Sequence, residues 1–392
     1  MPTRRAAVQA GALLVALSVV LAACGSVGVA TPIEGCGDPN GSDEIKIGGI
    51  TDVGTLEDKS FNEAGWCGTI MGADAAGAQA RVIVTAEPDD YAANIRTLVD
   101  NGFETIVSYG FALGDATLAA SKEYPDVQFI GLDQFMCLTP EGEADTGDPD
   151  ASPPIAATCE GNENAAELVP NYQGLVFSEQ QAGYLAGVLA AQVSESAVIG
   201  AVGGIDTIPP VVNYIAGYVN GAKSVNPDIE VLVQYASTDI TTAFNDPARG
   251  KAIAESMIAE GADVIFQVAG LTGQGAIEAA CDADIYGIGV DVDQYFSLPE
   301  NLRPCLLTSA EKKIREAIAA AIARALDGTA VGGNVFNTAA SDPVGVGLSP
   351  YHDLAGVVTD EMQAEVDAAL EAMLGGLDPC EGEGRCSFET EE

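Results

Sequence analysis

Apolar runs of strand length alternate with longer amphipathic stretches along most of this chain. Ile45 to Ile50, Arg81 to Ala86, Thr105 to Tyr109 and Val127 to Leu132 are rich in Val, Ile and Leu, the pattern of parallel strands buried on both faces. Between them, Asn62 to Gln79, Tyr91 to Asn101 and Leu113 to Lys122 read as helices. The rhythm resumes with Gln173 to Phe177, Val198 to Gly203, Glu230 to Gln234, Asp263 to Val268 and Ile285 to Val290, separated by helices such as Gln180 to Val193 and Ile208 to Lys223. Strand, helix, strand in repetition builds a parallel sheet with helices on both faces. Two such series predict an α/β protein of two similar, doubly wound parallel-sheet lobes.

Three stretches break the rhythm. Met136 to Asn171 is an irregular excursion rich in Glu, Asp, Pro and Gly. Residues 25–43 are rich in Gly, Ser, Pro and Thr and lack a helical period, which predicts a flexible tether. Ahead of them, Arg4 and Arg5 precede an apolar stretch that closes on Leu21-Ala22-Ala23-Cys24. A positive start, an apolar middle and small residues before a cysteine form a secretory signal of the lipoprotein type. Residues 1–23 are then a signal peptide, and the Cys24 thiol carries a lipid that holds the chain on the extracytoplasmic face of a membrane. No later stretch is apolar for the eighteen or so residues that a membrane span requires.

Composition narrows the partners. The chain has 58 acidic against 16 basic residues, a net charge of −42, which argues against nucleic acid and anionic lipid headgroups. Apart from Cys24, eight cysteines remain, an even number that reads as disulfides in an exported chain. Spacing leaves the connectivity open; joining neighbours in sequence pairs Cys36 with Cys67, Cys137 with Cys159, Cys281 with Cys305, and Cys380 with Cys386. No CxxC is present and His352, the only histidine, has no cysteine at ligand spacing, so neither a metal site nor any other cofactor is expected.

Open α/β sheets bind ligands beyond the carboxyl ends of their strands. There the sequence places Asp52 and, at the next helix start, Phe61 and Asn62; then Gly110-Phe111 with Asp115; Ala269-Gly270; and Asp291-Val292-Asp293. Phe244 lies in a segment leading into a helix of the second series. The run Asp52 to Asn62 with Trp66 resembles the first-strand motif of the basic membrane protein family of lipoproteins, the purine nucleoside receptors of ABC transporters. Gly110 to Asp115, Tyr124 to Val127, Phe177 to Gln180, Tyr184 to Gly187, Gly203-Gly204, Phe244 to Lys251, Gly287 to Gln294, and Thr308-Ser309 with Lys312 extend the match in order from about Ile45 to Gly328.

The resemblance implies a type I periplasmic-binding-protein fold, two lobes joined by three hinge crossovers and closing on a small-molecule ligand. The lobes are apportioned as 44–195 with about 298–328, and 196–297 with about 329–392. By motif position, Phe61 and Phe244 would sandwich a purine, each stack contributing about 1–3 kcal/mol. Asp52 and Asn62 would meet the base edge, Asp291 and Lys312 the ribose, and Gly270 would admit the ligand close to the backbone. Phe111 and Asp115 complete the expected set. The residues themselves allow other roles. Asp52 and Asp115 could cap helices, Phe61 and Phe244 could be staples or core, Lys313 could stand in for Lys312, and Asp293 for Asp291.

Partners implied by the resemblance are an ABC permease and a separate ATPase, since no Walker A sequence is present. A lipoprotein binding a sugar or other small ligand for uptake or sensing is the alternative. An exported α/β hydrolase is disfavoured because the chain has no G-x-S-x-G elbow and a single histidine. Separating anchor from site predicts that Cys24→Ala moves the protein from the membrane to the soluble fraction while calorimetric ligand binding is unchanged. Lost binding in that variant would contradict the separation.

Overall fold

The computed structural model describes residues 27–147, 156–384 and 386; the signal segment and Cys24 lie outside them. The first sheet series runs β1 (Ser42–Thr51), α1 (Phe61–Ala76), β2 (Ala78–Ile83), α2 (Tyr91–Asp100), β3 (Thr105–Tyr109), α3 (Gly114–Glu123), β4 (Gln128–Leu132), α4 (Ala165–Leu168) and β5 (Tyr172–Phe177). The second runs α5 (Glu179–Val193), β6 (Val198–Gly203), α6 (Pro209–Val225), β7 (Glu230–Tyr235), α7 (Ile240–Ala243), α8 (Pro247–Ala259), β8 (Val264–Val268), α9 (Gly270–Asp282), β9 (Tyr286–Asp291), α10 (Gln294–Ser297) and β10 (Leu306–Lys312). The chain closes with α11 (Ile314–Asp327), β11 (Gly333–Asn337), β12 (Val346–Leu348) and α12 (Asp360–Leu374).

The strand orders are β11-β5-β4-β3-β1-β2 and β12-β10-β9-β8-β6-β7. They describe one doubly wound architecture used twice, and only the sixth strand differs: β11 is parallel to β5, whereas β12 is antiparallel to β10. Central strands such as Thr105–Tyr109 and Val264–Val268 are buried at every position, because helices cover both sheet faces. The chain passes between the sheets three times, after β5, after β10 and after β11.

These crossings fall elsewhere than the expected lobe boundaries. Helix α5 packs on α6, β10 and β12, so it belongs to the second lobe although 44–195 was assigned to the first. Strand β10 stands in the second sheet and β11 in the first, the reverse of the expected apportioning; within 298–328 only α11, packed on α1 and β4, joins the first lobe. Periodicity identifies elements but not the sheet each one joins. The α5–α6 contact has a local cause: Gly183 and Gly187 lie against the Tyr214 and Tyr218 carbonyls, and Gly217 and Gly221 against those of Gln180 and Tyr184. A Cβ at any of the four would overlap a backbone oxygen.

The expected tether is the second correction. From Val27 onward the segment is docked on the first lobe, where Val29 forms an antiparallel bridge with Val82 and Asn40 another with Gln79. Cys36 is bonded to Cys67 of α1, and the other three disulfides join Cys137 to Cys159, Cys281 to Cys305, and Cys380 to Cys386. Backbone pairing along the β2 edge outweighs the flexible composition, and it covers an edge that would otherwise be open. The excursion after β4 is also fastened, with Asn334 of β11 donating to the Met136 carbonyl at 2.8 Å and accepting from its N–H at 2.8 Å. Replacing Cys36 and Cys67 together by Ser should lower the unfolding free energy by about 3–4 kcal/mol, as expected for opening a loop of this size. Urea titration measures this, and an unchanged midpoint would show that the backbone bridges alone hold the segment.

Candidate functional site

The two lobes meet at the carboxyl ends of their strands, and the cleft between them holds about 620 Å³ of space free of protein atoms, part of it continuous with open solvent. The first lobe contributes Asp52, Asp58, Phe61, Asn62, Gly110, Phe111 and Asp133 to its walls; the second contributes Ile208, Val211, Tyr214, Phe244, Gly270, Asp291 and Lys312.

Asp58 organises the first wall. Its carboxylate accepts from the backbone N–H of Ser60, Asn62 and Glu63 at 3.0, 2.8 and 3.1 Å, which supplies the missing partners at the start of α1. That cap fixes Phe61 and Asn62 at the cleft. Asn62 donates to the carbonyls of Val53 and Thr55 at 2.8 and 3.2 Å, so its amide orientation is set. Its Oδ1 is buried without a partner among the described residues, an acceptor available to a ligand N–H or O–H. Asp52 caps no helix in the usual sense; it accepts from its neighbour Val53 at 2.6 Å and from Ala112 at 3.4 Å. Gly110 leaves room for that carboxylate, which a Cβ would overlap, and Gly204 does the same for the ring of Phe244.

Lys312 is 3% exposed and stands where the chain leaves the second sheet. Its Nζ meets Asp133 at 2.5 Å, Asp291 at 3.4 Å and Glu179 at 3.6 Å. Asp133 follows β4 of the first lobe and Asp291 ends β9 of the second, so one cation joins carboxylates from both. Burial alone would lower the lysine pKa and is the largest single influence, but attraction to Asp133, Asp291 and Glu179 outweighs it and leaves the value raised. The ammonium also lies 4.9 Å from the Phe61 ring centroid, within cation–π range. Further contacts cross between lobes: Ser60 Oγ donates to Asp291 at 2.7 Å, and Gln294 and Ser297 donate to the Lys59 carbonyl at 3.1 and 2.7 Å.

The structure brings together Asp52, Phe61, Asn62, Phe111, Phe244, Gly270, Asp291 and Lys312 as cleft walls. It does not bring Asp115, which is exposed in the first turn of α3 and is not among the lining residues. Trp66 faces away from the cleft, its Nε1 donating to the Thr31 carbonyl at 2.7 Å. Of the competing residues, Lys313 pairs with Glu311, and Asp293 caps α10 and bonds His352 at 2.7 Å. None of the described residues of the 136–171 excursion lines the cleft. Asp58, Asp133, Glu179 and Tyr214 were not singled out from sequence. Asp133 carried a usable signal, since Gly131-Leu132-Asp133-Gln134 repeats the ends of Gly289-Val290-Asp291-Val292-Asp293-Gln294.

Desolvation pushes Asp52 and Asp58 up to about 7 against the opposing pull of their backbone donors. Asp133 and Glu179 are also raised by burial, with Lys312 opposing. A carboxyl whose folded pKa is raised holds its proton longer in the native state, so its contribution to stability is lost as pH rises toward 7. The unliganded protein should therefore melt at a lower temperature at pH 8 than at pH 5, and Asp52→Asn should flatten that slope. Calorimetric melting of both proteins across this range is the check; parallel curves would remove Asp52 as a contributor.

A family model described as Bmp, ABC transporter substrate-binding protein PnrA-like, matches residues 45–373. The chain is 31% identical over 319 residues to Basic membrane protein B of Borrelia garinii subsp. bavariensis, covering 79% of this chain and 82% of that one. It is 29% identical over 265 residues to the ABC transporter nucleoside-binding protein BmpA of Lactococcus lactis subsp. cremoris, covering 64% of this chain and 65% of that protein, just under two thirds of its length. A crystal structure of an ABC transporter solute-binding protein from Aeropyrum pernix K1 superposes with a TM-score of 0.69 at 21% identity, over 85% of this chain and 92% of that one. That likeness shows the two-lobed type I periplasmic-binding fold. With the family match across both lobes and the cleft between them, the chain belongs to the Bmp family of ABC transporter substrate-binding proteins, which bind solutes and are not enzymes.

Proposed function

We propose that the cleft binds a purine nucleoside and that the protein, held by a lipid on Cys24, delivers it to its permease on the extracytoplasmic side. The observation that carries the reading is the pairing of Phe61 and Phe244 on opposite lobes with the buried, unpartnered Oδ1 of Asn62 beside Phe61. Aromatic faces suit a nucleobase, and a fixed acceptor suits a base N–H. Asp133 Oδ1 is likewise buried without a partner among the described residues, and with Asp291 it suits the hydroxyls of a ribose. The name of the Lactococcus lactis relative as a nucleoside-binding protein supports the same class.

Charge sets a limit on the ligand. Asp52, Asp58, Asp133 and Asp291 line the cleft with a single lysine already engaged by carboxylates. Among the described lining residues no free cation remains to meet a phosphate, which would enter at a high desolvation cost. The ligand is thus a neutral nucleoside and not a nucleotide.

Calorimetry with inosine, guanosine, adenosine, their 5′-monophosphates, free bases, ribose and hexoses tests this. Nucleosides should bind one to one, monophosphates at least roughly tenfold more weakly, and Phe61→Ala or Phe244→Ala should each cost at least roughly tenfold in affinity. Full affinity in both alanine variants would remove the stacking roles, and heat from hexoses alone would move the reading to a sugar receptor.

A further inference from the structure

The docked N-terminal segment changes what an anchor at Cys24 does. Val29 exchanges backbone hydrogen bonds with Val82 at 2.8 and 2.9 Å. Trp66 of α1 holds the Thr31 carbonyl, Cys36 is bonded to Cys67, and Ala80 donates to the Pro39 carbonyl at 2.9 Å. Val27 packs among the apolar residues under α2 together with Ile83. The segment is therefore fastened at both its ends and in its middle.

Topology gives the place of attachment. Asp52 follows β1, Gly110 follows β3 and Asp133 follows β4, and all three line the cleft. Strand β2 is parallel to β1, so its carboxyl end at Val82 to Val84 lies at the cleft end of the lobe. That is where Val29 is paired. Cys24 precedes Val27 by three residues, a reach of at most about 11 Å for extended chain.

We propose that the segment from Val27 to Asn40 is an orienting strut, which holds the cleft end of the first lobe against the lipid bilayer at the rim marked by Val29 and Val84. The inference rests on the lipid at Cys24 put forward above. Val29 and Val84 are 49% and 42% exposed, apolar side chains that a bilayer interface accepts. A chain of net charge −42 gains nothing from anionic headgroups, so the contact uses the lipid and apolar side chains, and zwitterionic bilayers serve. With its outer edge fixed, the first lobe is stationary and the second lobe is the one that moves during closure.

The test uses the full lipidated protein in phosphatidylcholine vesicles carrying a nitroxide on the headgroup. Val84→Trp reports on the cleft end and Glu104→Trp, an exposed position just before β3, on the opposite end, with the constant emission of Trp66 subtracted. Across a strand length of about 17–20 Å, quenching at position 84 should exceed that at 104 at least about twofold. A twenty-residue Gly-Ser insert between Ser26 and Val27 should erase the difference. Equal or reversed quenching in the parent, or a difference that survives the insert, overturns the strut. Mass spectrometry of the N-terminus, made first, separates this from failure of the anchor itself: without lipid, both the anchor and the strut fall.

Discussion

Everything in the cleft depends on how few positive charges are available to a strongly acidic chain. Three carboxylates converge on Lys312, and without that ammonium their burial would be prohibitive. The lysine sits at the point where the chain leaves the second sheet for the first. The same side chain therefore offsets part of the site's negative charge and bridges the two lobes across one of their three connections. Stability and binding geometry are tied to one cation.

The element series was legible because fully buried parallel strands leave continuous apolar runs. Thr105–Tyr109 and Val198–Gly203 coincide with the expected runs to the residue. The four disulfides match the pairing of sequence neighbours, one set among those that spacing left open. Sheet membership was not legible: nothing in the local pattern of Leu306–Lys312 says that it lies beside β9 rather than in the first sheet. The N-terminal segment failed for a related reason. Composition reports what a segment prefers alone, and the bridges at Val29 and Asn40 depend on an edge supplied elsewhere.

The site was legible where its residues sit in strand-end motifs and obscure where a role depends on another lobe. Asp58 lay inside the first motif, but its function as the cap of α1 needs three backbone donors in space. Asp133 and Asp291 are structural counterparts at the carboxyl end of the fourth strand of each lobe, with left-handed backbone at φ 56° and 64°. Gly131 and Gly289 make room for Gln134 and Gln294 in the same way. The duplication of architecture thus reaches the binding residues, and Lys312 takes one aspartate from each copy.

Strand β11 has a consequence for biogenesis. It is the edge of the first sheet beside β5, yet the entire five-strand series of the second lobe intervenes between them in the chain. During vectorial emergence from a membrane pore, β5 keeps an open backbone edge until residue 337 has passed. The first lobe begins first and finishes after most of the second, so the two cannot be produced as successive finished units. An exported chain of this topology has to be kept from pairing that edge with a neighbour throughout its transit.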